Sequence, residues 1–213
     1  MIIALDGSAA SGKGTLAKRL AAHYDLAHLD TGSLYRALAL QVIDKGIDTN
    51  NIDENQIVSE AQSLDIGRAE DARIRTDAVA TAASKVAAIP AVRAELLAFQ
   101  RQFAATPPYG RGAILDGRDI GSVVLPDAQI KFFVDASLEI RAERRTKELR
   151  QAGQSVMFPT VLKDMQDRDD RDRNRAVAPL RATADAKVID TSALDADAVL
   201  AEAIAYVEHC RAE

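Results

Sequence analysis

The sequence has no tryptophan and a single cysteine, and aromatic residues make up only 4% of it. Cys210 therefore cannot form an intramolecular disulfide, and it has no neighbouring residues of metal-ligand type. No apolar run reaches the length of a membrane span, and no charged segment followed by an apolar one opens the chain. We therefore expect a soluble, cytoplasmic protein that does not associate with membranes.

An excess of positive charge is also lacking, since the formal net charge is −5. An acidic surface disfavours non-specific binding to nucleic acid, so we expect no nucleic-acid partner. The chain has 213 residues, of which 47% are hydrophobic. This suits one α/β domain with room for an insertion. We expect that domain to be a monomer.

The first fifteen residues contain the clearest motif. An apolar strand is predicted over residues 2–5, and Gly7–Thr15 fits G-x-x-x-x-G-K followed by Gly-Thr. A helical pattern follows, with Leu16 and Leu20 on one face. Strand, glycine-rich loop and helix in this order are typical of a phosphate-binding loop (P-loop).

The chemistry of such a loop assigns a role to each part. Glycines allow backbone N–H groups to turn towards an anion, and the helix N-terminus adds partial positive charge. Lys13 adds a mobile ammonium group. Gly14 occupies the usual Ser/Thr position, so we expect the hydroxyl near Mg²⁺ to be that of Thr15. The predicted phosphate contacts are Gly7, Ser8, Ala9, Ala10, Ser11, Gly12, Lys13, Gly14 and Thr15.

Another predicted strand, later in the chain, ends in an acidic residue. Asp116 closes the apolar stretch 113–115. In a P-loop protein this position predicts a second Mg²⁺ anchor that acts through water. Arg118 and Asp119 follow on the loop at the carboxyl end of the strand, where ligand contacts collect.

The most charged run of the chain, residues 164–175, permits two interpretations. It is a solvated helix with i,i+4 ion pairs, or it is part of a binding site. Arg168, Asp172 and Arg175 are spaced i, i+4 and i+7, which predicts that they project from one helix face. Two guanidinium groups flanking a carboxylate suit a phosphorylated sugar. The run alone leaves both interpretations open.

Four further polar residues are ambiguous when taken singly. Thr31 and Arg36 follow a short apolar stretch at a predicted strand-to-helix junction, on the rim of the sheet where ligands bind. Ser84 and Arg93 flank a predicted corner between two helices at Pro90. An exposed helix arginine would explain Arg36 equally well, and residues such as Ser84 and Arg93 are more often a capping serine and a solvated arginine.

Together the segments resemble the bacterial cytidylate kinase family over nearly the whole chain. The phosphate loop alone would indicate only a P-loop protein. The blocks at 115–121 and 168–175 are found in far fewer protein families and are therefore more specific. The resemblance rests on the blocks 6–15, 30–36, 83–87 with 92–93, 115–121, 124–128, 133–137, 168–175 and 184–186.

This resemblance implies a P-loop NTPase fold, with a five-stranded parallel sheet flanked by helices. The implied single domain has a core at about 1–46, 105–146 and 176–213. An acceptor-binding helical insertion would span about 47–104, and a short lid about 147–160. Family members carry a small β-hairpin sheet in the insertion.

One segment departs from that pattern. Residues 65–76 look too short for the β-hairpin sheet. The short segment puts in question how the insertion closes over the acceptor and how selective it is for the base. It does not affect the predicted reaction type.

The resemblance also implies transfer of the γ-phosphoryl group of ATP to CMP or dCMP, with Mg²⁺. Lys13, Arg36, Arg118 and Arg175 would act in the transfer, and Arg144 or Arg145 would reach the donor phosphates. The implied CMP contacts are Ser84, Arg93 and Asp119 for cytosine, Arg168 and Asp172 for the sugar, Arg36, Arg118 and Arg175 for the phosphate, and Thr31 in the same pocket.

Two other functions remain as alternatives. A P-loop kinase for another small acceptor would differ in its preference among acceptors. A non-catalytic nucleotide-binding regulator would bind ATP without turnover of any monophosphate, and it would leave Asp116 without a role.

Overall fold

The fold is built on a parallel sheet. A computed structural model describes residues 1–49 and 51–212. Within them the sheet has five strands in the order β2-β3-β1-β4-β5, which confirms the predicted five-stranded sheet. β1 pairs in parallel with β3 and β4, and β4 with β5. The strands are β1 (Ile2–Gly7), β2 (Ala27–Asp30), β3 (Ala113–Gly117), β4 (Ile130–Asp135) and β5 (Lys187–Asp190).

Helices connect these strands. Of the helices that the structure describes, none is long and apolar enough to cross a membrane. The α-helices are α1 (Lys13–Tyr24), α2 (Thr31–Asp44), α3 (Glu54–Gln62), α4 (Asp77–Val86), α5 (Pro90–Ala105), α6 (Leu138–Gln151), α7 (Phe158–Arg173) and α8 (Ala196–Ala212).

The chain divides into two compact units. Unit 1 comprises Met1–Leu29 and Pro107–Glu213, and unit 2 comprises Asp30–Thr106. The predicted scheme of core, insertion and lid stays a prediction, and Asn50 of the predicted insertion lies outside the described residues.

The core of unit 1 forms around the central strands because they are buried on both faces. Ile3, Leu5 and Phe132 are at most 1% exposed, and helices α1 and α8 cover them with apolar side chains such as Leu20 and Val207. Continuous apolar strands of this kind are expected in a parallel sheet covered by helices.

Helices α6 and α7 pack against each other within unit 1. Ala142, Leu149, Val161 and Met165 form their apolar contact. A buried ion pair adds to it, since Arg141 donates to both carboxylate oxygens of Asp169 at 3.1 and 2.5 Å. Of the predicted lid 147–160, only residues 152–157 lie between the two helices.

Unit 2 is helical. The segment that looked too short for a hairpin forms two 3₁₀ turns, Ile66–Glu70 and Ala72–Arg75. Asp44 of α2 accepts hydrogen bonds from Arg68 at 2.8 Å and from Arg73 at 2.9 Å, which ties both turns to that helix.

Candidate active site

The glycine-rich loop follows β1 as predicted, and two glycines make its path possible. A Cβ on Gly7 would lie 2.0 Å from the Val134 carbonyl oxygen of the neighbouring strand. Gly12 precedes α1 with a φ of 90°, a conformation that favours glycine. The loop therefore places backbone amides at the start of a twelve-residue helix, which is a favourable position for an anion.

Two serines of this loop have unsatisfied hydroxyl groups. The Ser8 and Ser11 side chains are fully buried, and neither Oγ has a hydrogen-bond partner within the described residues. Buried polar groups are usually paired, so such orphaned hydroxyls point to a ligand. The Arg141 guanidinium supports the loop from α6 by donating to the Ala9 carbonyl at 3.3 Å.

Lys13 and Asp116 meet at the mouth of the loop. Lys13 Nζ donates to Asp116 Oδ1 at 3.2 Å, and His28 Nε2 lies 2.8 Å from Oδ2. Burial raises the pKa of Asp116, but Lys13 and His28 outweigh burial and lower the pKa to about 2 from an ordinary 3.8. The carboxylate is therefore ionised and has a separate partner on each oxygen.

A second charged group forms where α7 meets the loop after β3. Arg118 Nε donates to Asp172 Oδ2 at 2.8 Å, and Arg175 Nη2 lies 3.9 Å from Oδ1. Burial raises the pKa of Asp172, but Arg118, Arg168 and Arg175 outweigh it and keep the pKa below its usual value. Asp172 and the buried Asp169 show that α7 is not simply a solvated helix.

The predicted arrangement of this group is wrong in one respect. Helix α7 ends at Arg173, so Arg175 lies beyond the helix rather than on its face. The chain turns back after the helix, and the Leu180 amide donates to the Asp172 carbonyl at 2.9 Å. Arg175 approaches Asp172 from that turn, with Nε 3.4 Å from the same carbonyl.

Asp119 lies in the loop after β3 and is 5% exposed. A short turn of π-helix, Ile120–Val124, follows it directly. Asp6, at the end of β1, accepts hydrogen bonds from the backbone amides of Ile120 at 2.7 Å and Gly121 at 2.8 Å. Burial raises the pKa of Asp6 to about 6. This carboxylate thus anchors the loop that carries Arg118 and Asp119.

A hollow of about 320 Å³ lies beside the first turn of α1. Thr15 lines it together with Arg144 and apolar side chains such as Leu16 and Leu194. Arg144 donates to the Thr191 hydroxyl at 2.9 Å, and that hydroxyl donates to the Ser11 carbonyl at 2.8 Å. These bonds link α6, the segment after β5 and the phosphate loop.

Of the two positions after Lys13, it is Gly14 that faces Asp116, although glycine has no side chain to contact it. A Cβ on Gly14 would lie 4.0 Å from Asp116 Oδ2. Thr15 is one residue further along α1 and lines the hollow instead. A metal role for Thr15 stays a prediction.

The other predicted acceptor residues belong to unit 2. Thr31 begins α2 and is buried. Arg36 Nη1 donates to the Ile74 carbonyl at 2.9 Å. Arg93 donates to the Ala87 carbonyl at 3.3 Å and lies 5.7 Å from the centre of the Tyr35 ring. Ser84 is half-buried in α4.

Three residues at the site were not predicted from the sequence. His28, Asp6 and Thr191 have their roles only through partners far along the chain, at positions 116, 120–121 and 11. A histidine near the end of a short apolar stretch is a weak sequence signal for His28, and the strand order that brings it to Asp116 is known only from the structure.

The cytidylate kinase family model matches residues 3–209. The cytidylate kinase of Paramagnetospirillum magneticum (strain ATCC 700264 / AMB-1) is 55% identical over 206 residues, which covers 97% of each chain.

Solved structures share the fold at low sequence identity. An uncharacterized protein from Eubacterium ventriosum ATCC 27560 matches with a TM-score of 0.58, 16% identity and 98% coverage of both chains. A gluconokinase from Sinorhizobium meliloti 1021 matches with a TM-score of 0.51 and 13% identity, covering 97% of this chain and 91% of the other. The family model and the close relatives show that the chain belongs to the cytidylate kinase family.

Proposed function

We propose that the charged groups of unit 1 carry out the reaction of this family member. The protein transfers the γ-phosphoryl group of ATP to CMP or dCMP, giving ADP and CDP or dCDP. A phosphate oxygen of the acceptor is already a competent nucleophile, so the transfer needs positioning and charge neutralisation rather than a dedicated base.

The contact between Lys13 and Asp116 at the mouth of the phosphate loop carries this proposal. It combines a cation on a flexible stem with an ionised, buried carboxylate, at the point where the backbone amides of the loop favour an anion. With ATP bound, the Lys13 ammonium is free to move from Asp116 to the donor phosphates. Its charge would then stabilise the negative charge that develops during transfer.

The donor set also fits magnesium. Mg²⁺ commonly takes one or two carboxylates together with water and substrate phosphates. Asp116 is ionised and lies beside the phosphate loop, so we assign it to hold the ion through water. When bound, the metal would neutralise part of the phosphate charge.

The hollow beside α1 suits the nucleoside of the donor. Its wall combines apolar side chains with Arg144, Thr191 and Asp195, and Gly12 and Thr15 also line it. Apolar walls with few polar groups are typical of sites for bases. We therefore assign Arg144 to the donor site, whereas Arg145 makes an ion pair with Glu148 at 2.9 Å.

We assign the group formed by Arg118, Asp172 and Arg175 to the acceptor nucleotide. Paired guanidinium groups bind phosphate well, and a carboxylate accepts hydrogen bonds from ribose hydroxyls. The separation of 2.8 Å between Arg118 and Asp172 supports this use. Arg168 also lowers the pKa of Asp172 and is assigned to the same group. The same role for Thr31, Arg36, Ser84 and Arg93 rests on the resemblance alone.

A lysine exchange tests the assignment. Lys13→Ala should lower the rate of ADP release with ATP, Mg²⁺ and CMP by about 100- to 1000-fold, the usual effect of removing one preorganised donor. Lys18→Ala is the matched control, since Lys18 is an exposed lysine of the same helix. Near-normal turnover by Lys13→Ala, with wild-type stability in urea, would contradict the proposed mechanism.

A further inference from the structure

His28 contacts Asp116 beside the phosphate loop and has no part in the mechanism proposed above. It lies in β2, and Asp116 lies in β3, the next strand of the sheet. His28 Nε2 lies 2.8 Å from Asp116 Oδ2. The imidazole is 15% exposed and the carboxylate 2%, so the contact is largely shielded from water.

The chemistry of this contact is directional. A carboxylate oxygen accepts, so in this contact the Nε2–H of His28 donates a hydrogen bond to Asp116 Oδ2. Lys13 approaches the other oxygen, Oδ1, at 3.2 Å. The two partners thus hold the carboxyl plane of Asp116 in one orientation.

The two partners differ in what they do when ATP binds. Lys13 is the phosphate-binding cation of the proposed mechanism, so the donor phosphates compete with Asp116 for its ammonium group. His28 stands in a strand and has a short side chain, so it stays in place. During the reaction, the orientation of Asp116 depends on the histidine.

We propose that His28 is a positioning residue for the reaction: it holds Asp116 through Oδ2, so that Oδ1 stays available to the hydrated magnesium ion when Lys13 moves to the phosphates. This inference rests on the proposed function, because it takes Asp116 as the residue that holds the metal. Groups that orient a metal-binding side chain typically change metal affinity or activity by about 10- to 100-fold when removed.

Two exchanges separate positioning from simple packing. His28→Leu keeps much of the volume but removes the donor. His28→Gln restores an N–H donor at a reach similar to Nε2. His23→Leu is the matched control, since His23 is an exposed histidine on α1.

The first readout is kinetic. For His28→Leu we expect the Mg²⁺ concentration at half-maximal rate to rise by about 10- to 100-fold, with the KM for CMP within twofold of wild type. His28→Gln should return within about threefold of wild type, because the donor is what matters. An unchanged Mg²⁺ dependence in His28→Leu would overturn the proposal, as would a loss of activity that His28→Gln shares while both variants remain folded.

The second readout does not depend on turnover. Calorimetric titration of each variant with ATP, in the presence and absence of Mg²⁺, measures how much the metal strengthens ATP binding. His28→Leu should lose most of that gain and keep its metal-free affinity for ATP. An equal loss with and without the metal would assign His28 to general packing.

The two proposals fail in different ways. A wild-type protein without turnover on CMP would contradict the proposed function, and the calorimetry would still report on His28. A wild-type protein that phosphorylates CMP, with His28→Leu indistinguishable from it in both readouts, would overturn only the role of His28.

Discussion

Arg118 and Asp172 form a hydrogen-bonded ion pair of 2.8 Å that joins the loop after β3 to helix α7. Their side chains are 15% and 10% exposed, so solvent screens the pair only weakly. Asp172 also raises the pKa of Arg118 against the opposing effect of burial. The arginine proposed to bind the acceptor phosphate is therefore held in place before any nucleotide arrives.

The first prediction concerns the stability of this pair. Asp172→Ala leaves the Arg118 charge buried without its carboxylate, so the free energy of unfolding should fall by about 3–5 kcal/mol. Urea denaturation measures the change. Asp170→Ala, at an exposed position of the same helix, should lie within about 0.5 kcal/mol of wild type. A loss below about 1 kcal/mol in Asp172→Ala would show that the pair matters little.

The second prediction concerns the geometry of the guanidinium group. Lysine keeps the charge but cannot reproduce a planar fork that serves a carboxylate and a phosphate together. Arg118→Lys should therefore lower kcat by about 100- to 1000-fold. Arg173→Lys, at the exposed end of α7, should retain wild-type kcat. Equal rates for both variants would remove Arg118 from the transfer step.

The third prediction concerns the choice of base. The Asp119 carboxylate can accept from the amino group of cytosine, which uracil lacks. Asp119→Ala should lower the ratio of kcat/KM for CMP over UMP by about 10- to 100-fold, the value of a hydrogen bond to a charged group. Asp127→Ala, an exposed neighbour, is the control. An unchanged ratio would remove Asp119 from base recognition.

The fourth prediction follows from the buried carboxylate of Asp6. Its pKa is raised from 3.8 to about 6, so between these values the folded protein holds a proton that the unfolded chain releases. This contribution to stability is complete only well below pH 3.8 and is lost as the pH rises through 6. It amounts to about 3 kcal/mol.

The measurement compares wild type with Asp6→Asn, which cannot titrate at this position. The free energy of unfolding of wild type minus that of the variant should fall by about 2 kcal/mol from pH 4 to pH 7. Other titrating groups cancel in this difference. Parallel stability curves across this range would contradict the shifted pKa.

The fifth prediction concerns the donor site. Thr191→Val removes the hydroxyl that joins Arg144 to the Ser11 carbonyl. An unsatisfied polar group costs about 1–3 kcal/mol, so the KM for ATP should rise about 5- to 100-fold while the KM for CMP stays constant. Thr191→Ser should restore the wild-type value. A change in the KM for CMP with an unchanged KM for ATP would contradict the assignment of Thr191 to the donor site.

The local parts of the site could be predicted from the sequence. The strand, loop and helix of residues 1–24 depend on glycine positions and hydrophobic period, which neighbouring residues determine. The position of Asp116 at a strand end followed from the same reasoning, and the structure places it beside Lys13.

Long-range partners could not be predicted. Arg141 and Asp169 lie 28 residues apart in a region rich in charge, and only the packing of α6 on α7 selects this pair. The prediction that Arg175 lies on the same helix face as Asp172 was wrong because the helix ends at Arg173. The chain then turns back, and the Asp172 carbonyl accepts a hydrogen bond from the Leu180 amide. The partner of His28 likewise depends on the order of the strands.

The most direct test is the rate of ADP release with ATP and Mg²⁺ against CMP, dCMP, UMP, AMP and GMP, measured in parallel at equal acceptor concentrations. We expect strong turnover with CMP and dCMP, weak turnover with UMP, and none above background with AMP and GMP. A preference for another acceptor would contradict the assignment of Asp119 and its neighbours to cytosine. Absence of turnover with all five would contradict the kinase activity itself.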